Sequence, residues 1–158
     1  HMLPSKGYFY FLKIAKTNPN LNFFMPDYDL VKDFYYKNIT FDKKNWNNGL
    51  QEIIYETKII LCPSFWSANF EGSVLKTMLM GKCCAIIKNI NSFSADIPSN
   101  SIIKLSGNHK QDSNLLKKKL KNTSEIERIG KNARLWALKY IKDNPKKETK
   151  FLDDFLKG

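Results

Sequence analysis

Arginine is almost missing from this chain: only Arg128 and Arg134 stand among 26 basic side chains. Bidentate reading of bases and phosphates favours the guanidinium fork, so the lysine-dominated charge argues against sequence-specific nucleic-acid recognition. Histidine is as scarce. His1 belongs to a His-Met pair that reads as a cloning remnant, and His109 stands alone, so no metal cluster is expected. The three cysteines, Cys62, Cys83 and Cys84, are odd in number and lack CxxC spacing. That excludes a disulfide framework and predicts buried, reduced thiols in a cytoplasmic protein. No apolar run approaches the roughly 18 residues that cross a bilayer, and no signal-peptide pattern opens the chain.

What is present is a globular composition. Of 158 residues, 42% are hydrophobic, enough for one domain, residues 1–158, with a real core. The net charge of +11 suits an anionic partner: a nucleotide, a phospholipid surface or a nucleic acid. The abundance of lysine and asparagine has a simpler source in genome composition, and both explanations stand.

The hydrophobic pattern alternates between helix and strand periods. A helix is predicted over Tyr8–Thr17, ended by Asn18-Pro19-Asn20. A strand follows over Leu21–Met25, a helix over Tyr28–Lys37 and a weak strand over Asn38–Phe41. A third helix spans Trp46–Glu56, with Leu50, Ile53 and Ile54 as its apolar stripe. Then come a strand, Ile59–Cys62, a polar aromatic loop, a helix, Glu71–Met80, and a strand, Cys83–Ile87. After a loop and a last strand, Ser101–Leu105, Ser106-Gly107-Asn108 is a turn with the shape of a second ligand loop, although turns of that composition are usually only turns. Helices are predicted near Ser113–Leu120 and Ser124–Ile141, the latter opened by a Ser124/Glu127 capping box. A short helix closes the chain over Glu148–Leu156. Such alternation predicts an α/β fold: a Rossmann-like, doubly wound parallel sheet with helices on both faces.

A doubly wound sheet ordinarily begins with a central strand, whereas this chain begins with a loop and helix, so the first strand is expected to be lacking. Its neighbours would be left with unpaired backbone groups. The gap is expected to be filled by rearranged strands, by a partner chain in a dimer through the incomplete sheet, or by the residues ahead of Lys6.

The stretch Lys58–Lys88 forms one strand–loop–helix–strand unit, and ligands of open α/β sheets lie where such a strand hands over to its helix. The first amides of that helix, from Glu71, Gly72, Ser73 and Val74, have no intrahelical partner, and Gly72 allows close approach. Ser73, Lys76 and Thr77 share one side. Free amides, one cation and a polar edge suit a phosphate. The same pattern also serves an ordinary amphipathic helix whose glycine caps a turn.

Four segments in order resemble the C-terminal, donor-binding domain of retaining GT-B glycosyltransferases. These are Lys6-Gly7 with the helix into Asn18-Pro19; Thr57–Ser64; Glu71-Gly72 with Met78, Gly81 and Lys82; and Ile129-Gly130-Lys131-Asn132-Ala133-Arg134. The resemblance covers nearly the whole chain. It implies a hexosyltransferase-type enzyme that moves a sugar from a nucleotide diphosphate sugar to a glycan or lipid-linked acceptor, as in polysaccharide biosynthesis. A facing N-terminal GT-B domain would complete the cleft, so this domain alone is expected to be inactive. No cofactor or metal is implied beyond the donor itself.

By the same resemblance, Lys6 holds the diphosphate and acts with Glu71 as the catalytic pair. Glu71 accepts from sugar hydroxyls, and Gly72 and Ser73 offer amides to phosphate. Ser64 lines the donor site, Trp66 stacks on base or sugar, and Lys76 pairs with a phosphate or acidic sugar. Asp42, Lys43 and Trp46 stand where the family holds the base. The chain departs from the family where two glutamates are usual: Ala68 and Lys76 occupy those positions. A basic surface of this kind also suits peripheral attachment to the inner face of an anionic membrane. Two other functions fit the residues: a non-catalytic nucleotide- or phosphate-binding module on the same scaffold, and, less well, an RNA-binding domain using lysines and aromatics.

Overall fold

The first helix, α1 (Tyr8–Thr17), straddles the molecule and shows how the fold is assembled. In the computed structural model, which describes residues 4–26, 36–65, 71–88 and 93–144, its apolar residues point two ways. Tyr8, Phe11, Leu12 and Ala15 pack on Met25 and Ile39, while Tyr10 and Ile14 join a core with Cys83, Ala85 and Leu105. Each set lies on one of two separate sheets. In the first, β1 (Phe23–Pro26) pairs in parallel with β2 (Ile39–Asp42); in the second, β3 (Ile59–Cys62), β4 (Cys83–Ile87) and β5 (Ile103–Leu105) are parallel in that order. The fold is therefore α/β and Rossmann-like, as the alternation predicts.

The remaining helices are α2 (Leu50–Glu56), α3 (Gly72–Leu79), α4 (His109–Leu120) and α5 (Thr123–Asp143). Helices α3, α4 and α5, with α1, cover the larger sheet on both faces. Leu116 of α4 packs with α1 on one face; Val74, Leu75 and Met78 of α3 pack on Cys84 and Ile86 on the other. Helix α5 contributes to both, with Ile126 and Ile129 in the first core and Ala133 and Ala137 in the second. It can do so because Gly130 lies against the turn at Gly81. A β-carbon at 130 would stand 2.1 Å from the Gly81 carbonyl oxygen, and Gly81 itself has φ +72°. These two glycines of the family-like segments thus have a packing role.

Strand burial reports the same arrangement. All five residues of β4, flanked on both edges, are buried. All four residues of β3 are only half-buried, although the strand is as apolar, because its second edge pairs with no described strand.

Several expectations need correction. Among the described residues no strand lies between β1 and β3, and Pro4–Lys6, which were expected to help fill that gap, form a 3-10 turn instead. The sheet is accordingly split. Helix α2 starts at Leu50 rather than Trp46, because Gly49 ahead of it is left-handed, with φ +78°. Helix α4 starts at His109, capped by the Asn108 side chain, which accepts from the Lys110 and Gln111 amides. Helix α5 is capped not by Ser124 but by Asn122, whose Oδ1 accepts from the Glu125 amide at 3.0 Å. The predicted helices Tyr28–Lys37 and Glu148–Leu156 fall wholly or almost wholly outside the described residues, as does Trp66. Among the described residues no helix is long and apolar enough to cross a membrane.

Candidate functional site

A cleft of about 1200 Å³ opens between the two sheets. All of β1 and all of β3 line it, and nothing from β4 or β5 does. It thus lies at the point where the strand order breaks, which is where open α/β sheets bind ligands.

The mouth of the cleft is polar. Ser64 follows the carboxyl end of β3, and Glu71, Gly72, Ser73 and Lys76 come from the start of α3. Lys6 reaches the same mouth from the turn before α1. That turn is fixed by the Phe65 amide donating to the Ser5 carbonyl at 2.9 Å and by close contact of Gly7 with Pro63. Six of the seven sequence-selected residues therefore line one space, and the seventh, Trp66, lies outside the described residues.

Within the mouth, Lys6 Nζ donates to Glu71 Oε1 at 3.3 Å, with side-chain exposures of 30% and 12%. The pair holds the two charges at the junction of α1 and α3. The Lys76 ammonium stands over the Trp46 ring, 4.7 Å from its centre. Such a contact is electrostatic attraction of a cation to a ring face and fixes Lys76 at the cleft wall. Glu71 takes the position before the first turn of α3, with extended backbone and no side-chain cap bond of its own. Its carboxylate is therefore spent on Lys6 rather than on the helix amides.

Thr77 lines the cleft with Ser73 and Lys76, as their shared helix side predicts, but it is buried and its hydroxyl donates back to the Ser73 carbonyl at 2.8 Å. Other expected contributors are placed differently. Asp42 pairs with Lys44 at 3.6 Å on the exposed end of β2, and neither Asp42 nor Lys43 lines the cleft, although Trp46 does. The turn Ser106-Gly107-Asn108 is not a ligand loop. Its amides point at an internal anion: Asp112 accepts from Ser106 N at 2.8 Å, Gly107 N at 2.9 Å and Ser106 Oγ at 3.0 Å.

Asp112 was not singled out by sequence, although an acid five residues after a Ser-Gly turn is a readable signal. It is buried and also accepts from the Tyr10 hydroxyl at 2.7 Å, tying α1 to α4. Burial, and then this bond, hold the Tyr10 phenol far above the ordinary tyrosine range.

Of the three cysteines expected to be buried, Cys83 and Cys84 are buried and lie away from the cleft lining, whereas Cys62 is half-buried and lines the cleft. Burial pushes the Cys83 thiol up to about 12. The Cys84 thiol is raised by its contact with Cys62, 3.7 Å between sulfurs, and by burial. Thiols so perturbed stay protonated and are poor nucleophiles. Among the described residues no three histidine, cysteine or acidic side chains converge as a metal site.

The fold and the cleft define a Rossmann-like α/β protein with a charged mouth at the carboxyl end of its strands. No protein-family model, curated protein or solved structure matches this chain.

Proposed function

We propose that the chain is the donor-binding part of a glycosyltransferase that accepts a nucleotide diphosphate sugar. The observation that carries this reading is the convergence of Lys6, Ser64, Glu71, Gly72, Ser73 and Lys76 on one cleft mouth at the break in strand order. Those residues come from two regions far apart in sequence, the turn at Lys6 and the stretch 64–76, and each has a side chain or amide suited to a sugar or a phosphate.

The chemistry is complementary. Glycosyl transfer breaks the bond from the anomeric carbon to the diphosphate oxygen, so negative charge grows on the leaving diphosphate. Lys6 and Lys76 supply positive charge at the mouth, and the first amides of α3 add the positive end of its dipole. Glu71 accepts hydrogen bonds from sugar hydroxyls. Its ion pair with Lys6 keeps both side chains oriented before the donor arrives, which reduces the ordering cost on binding. The acceptor site belongs to a facing domain in this reading, and anomeric configuration is retained by the family analogy.

Titration calorimetry of the 158-residue protein against uridine, guanosine and adenosine diphosphates, each with and without a sugar, tests the proposal. Tighter binding of a sugar-bearing form is expected. Absence of heat with every compound refutes it.

One observation favours a second reading. Lys76 stands where the family has an acidic residue that holds ribose, and an ammonium has no acceptor for those hydroxyls. With Lys76 held over Trp46, the cleft then serves a non-catalytic nucleotide- or phosphate-binding module. Equal affinity for bare and sugar-bearing nucleotides is its signature.

A further inference from the structure

Below its charged mouth the cleft is a different kind of site. Its side walls are the outer edges of two strands, β1 and β3, each paired on one side only among the described residues. Its upper and lower faces are apolar: Phe11, Ile14 and Leu116 on one, Leu50, Ile53 and Ile54 on the other. Folded interiors seldom hold voids larger than a water molecule, and buried backbone N–H and C=O groups are seldom left unmet. A space of about 1200 Å³ also exceeds the roughly 300–1,000 Å³ typical of small-molecule sites.

The two edges run the same way. Ser5 and Gly7 are held at the carboxyl end of β3 by Phe65 and Pro63. Helix α1 then runs ten residues, about 15 Å, back toward the amino ends, and β1 returns from there. A strand between β1 and β3 and parallel to both would finish beside Pro4. At the other end of the space stands Asn18. It is 1% exposed, its Nδ2 donates to the Ile14 carbonyl and Ser113 Oγ, and its Oδ1 has no hydrogen-bond partner among the described residues. Asn18 lines the cleft, so an acceptor is left over where an incoming backbone N–H would arrive.

We propose that this slot is a receptor for one extended polypeptide strand, which joins β1 and β3 into a single six-stranded parallel sheet. The occupant is four or five residues long, matching the four residues of each edge. It is uncharged and apolar on both faces, as strands covered by helices on both sides are. It runs parallel to its neighbours with its carboxyl end at Pro4, so it is received most directly when joined to the amino side of that residue. Backbone hydrogen bonds to two edges supply the recognition, as in other cases of strand addition.

The experiment replaces residues 1–3 with a five-residue valine/isoleucine strand directly ahead of Pro4. The comparison protein carries the same strand with proline at its centre, which removes a donor and breaks the ladder. The intact strand is expected to slow hydrogen exchange by at least about tenfold at amides of Phe23–Pro26 and Ile59–Cys62. It is also expected to raise Tm by about 5 °C or more. The proline form is expected to do neither. A second arm adds the same peptide untethered at millimolar concentration to the unmodified protein and reads exchange at the same amides, so that poor solubility of the joined protein does not end the test. Unchanged exchange at both edges in both arms overturns the proposal, as does equal protection by the proline form. Neither readout depends on nucleotide, so failure here is distinct from failure of the donor-binding reading.

Discussion

Replacing Gly7 by alanine tests the joint on which both the charged mouth and the slot depend. Gly7 has φ +82°, where an L-residue with a β-carbon is strained by about 1–2 kcal/mol. The added β-carbon would also stand 1.9 Å from the Pro63 carbonyl oxygen and 2.9 Å from the proline ring. The obstacle is backbone, next to a rigid ring, so one segment must move by about 1 Å. Overpacking of this kind costs about 1–3 kcal/mol. Together these terms give about 3 kcal/mol of lost stability. With a urea dependence of about 2 kcal/mol per molar, the midpoint falls by about 1.5 M. Fluorescence of Trp46 and Trp136 in a urea series reads it. Gly7→Asn separates the two causes, because asparagine tolerates left-handed backbone better yet carries the same β-carbon. Asparagine is expected to be nearly as damaging as alanine. A midpoint for Gly7→Ala within about 0.3 M of the parent refutes the reasoning. Recovery by asparagine alone assigns the cost to φ and removes the clash with Pro63 from the account.

Four further expectations follow from named contacts. Asp112→Ala strips the acceptor from Tyr10, Ser106 and Gly107 and is expected to cost about 2–3 kcal/mol in denaturant unfolding, because the buried Tyr10 hydroxyl is left unmet and the two amides of the more exposed turn lose their partner. A loss below about 1 kcal/mol contradicts the role given to that carboxylate. The Tyr10 phenol keeps its proton above its ordinary value of 10, so the unfolded chain ionises first and stability falls as pH rises past that value. Tyr10→Phe is expected to flatten this alkaline decline in Tm, leaving the part due to the raised Cys83 and Cys84 thiols; an identical slope counts against it. Gly130→Ala presses on the Gly81 carbonyl, and a Tm drop of about 5 °C or more is expected by calorimetry; an unchanged Tm argues against the close approach of α5. Glu71→Gln removes the negative partner of Lys6. Bare nucleoside diphosphates should bind several-fold more tightly while preference for the sugar-bearing form drops, and the opposite pair of changes in calorimetry rejects the assigned roles.

The order of elements was legible because burial on one or both faces writes itself into the period of apolar residues. Strand β4 reads as Cys83–Ile87 in both sequence and structure, and α1 begins and ends where Gly7 and Asn18 say it should. Ends set by side-chain capping were less legible. Asn108 and Asn122 cap their helices, but asparagine is so common here that sequence did not single them out. The candidate site was legible as residue types and not as a place. Lys6 and Glu71 are 65 positions apart, and no local pattern says that one donates to the other. Asp42 and Lys43 looked equivalent to Trp46 in sequence, yet only the tryptophan reaches the cleft.

What the chain by itself determined is the alternation of helix and strand, the lysine-rich charge, and the set of groups able to meet a phosphate. Those are properties of residue type and short-range period. Only the tertiary structure decided that α1 bridges two sheets, that an internal carboxylate takes the amides of the Ser106-Gly107 turn, and that the outer edges of β1 and β3 face one apolar slot. The reason is physical: hydrogen bonding between strands and the packing of a helix across them join residues far apart in the chain, and a sequence carries no local record of which distant edge a strand is left to face.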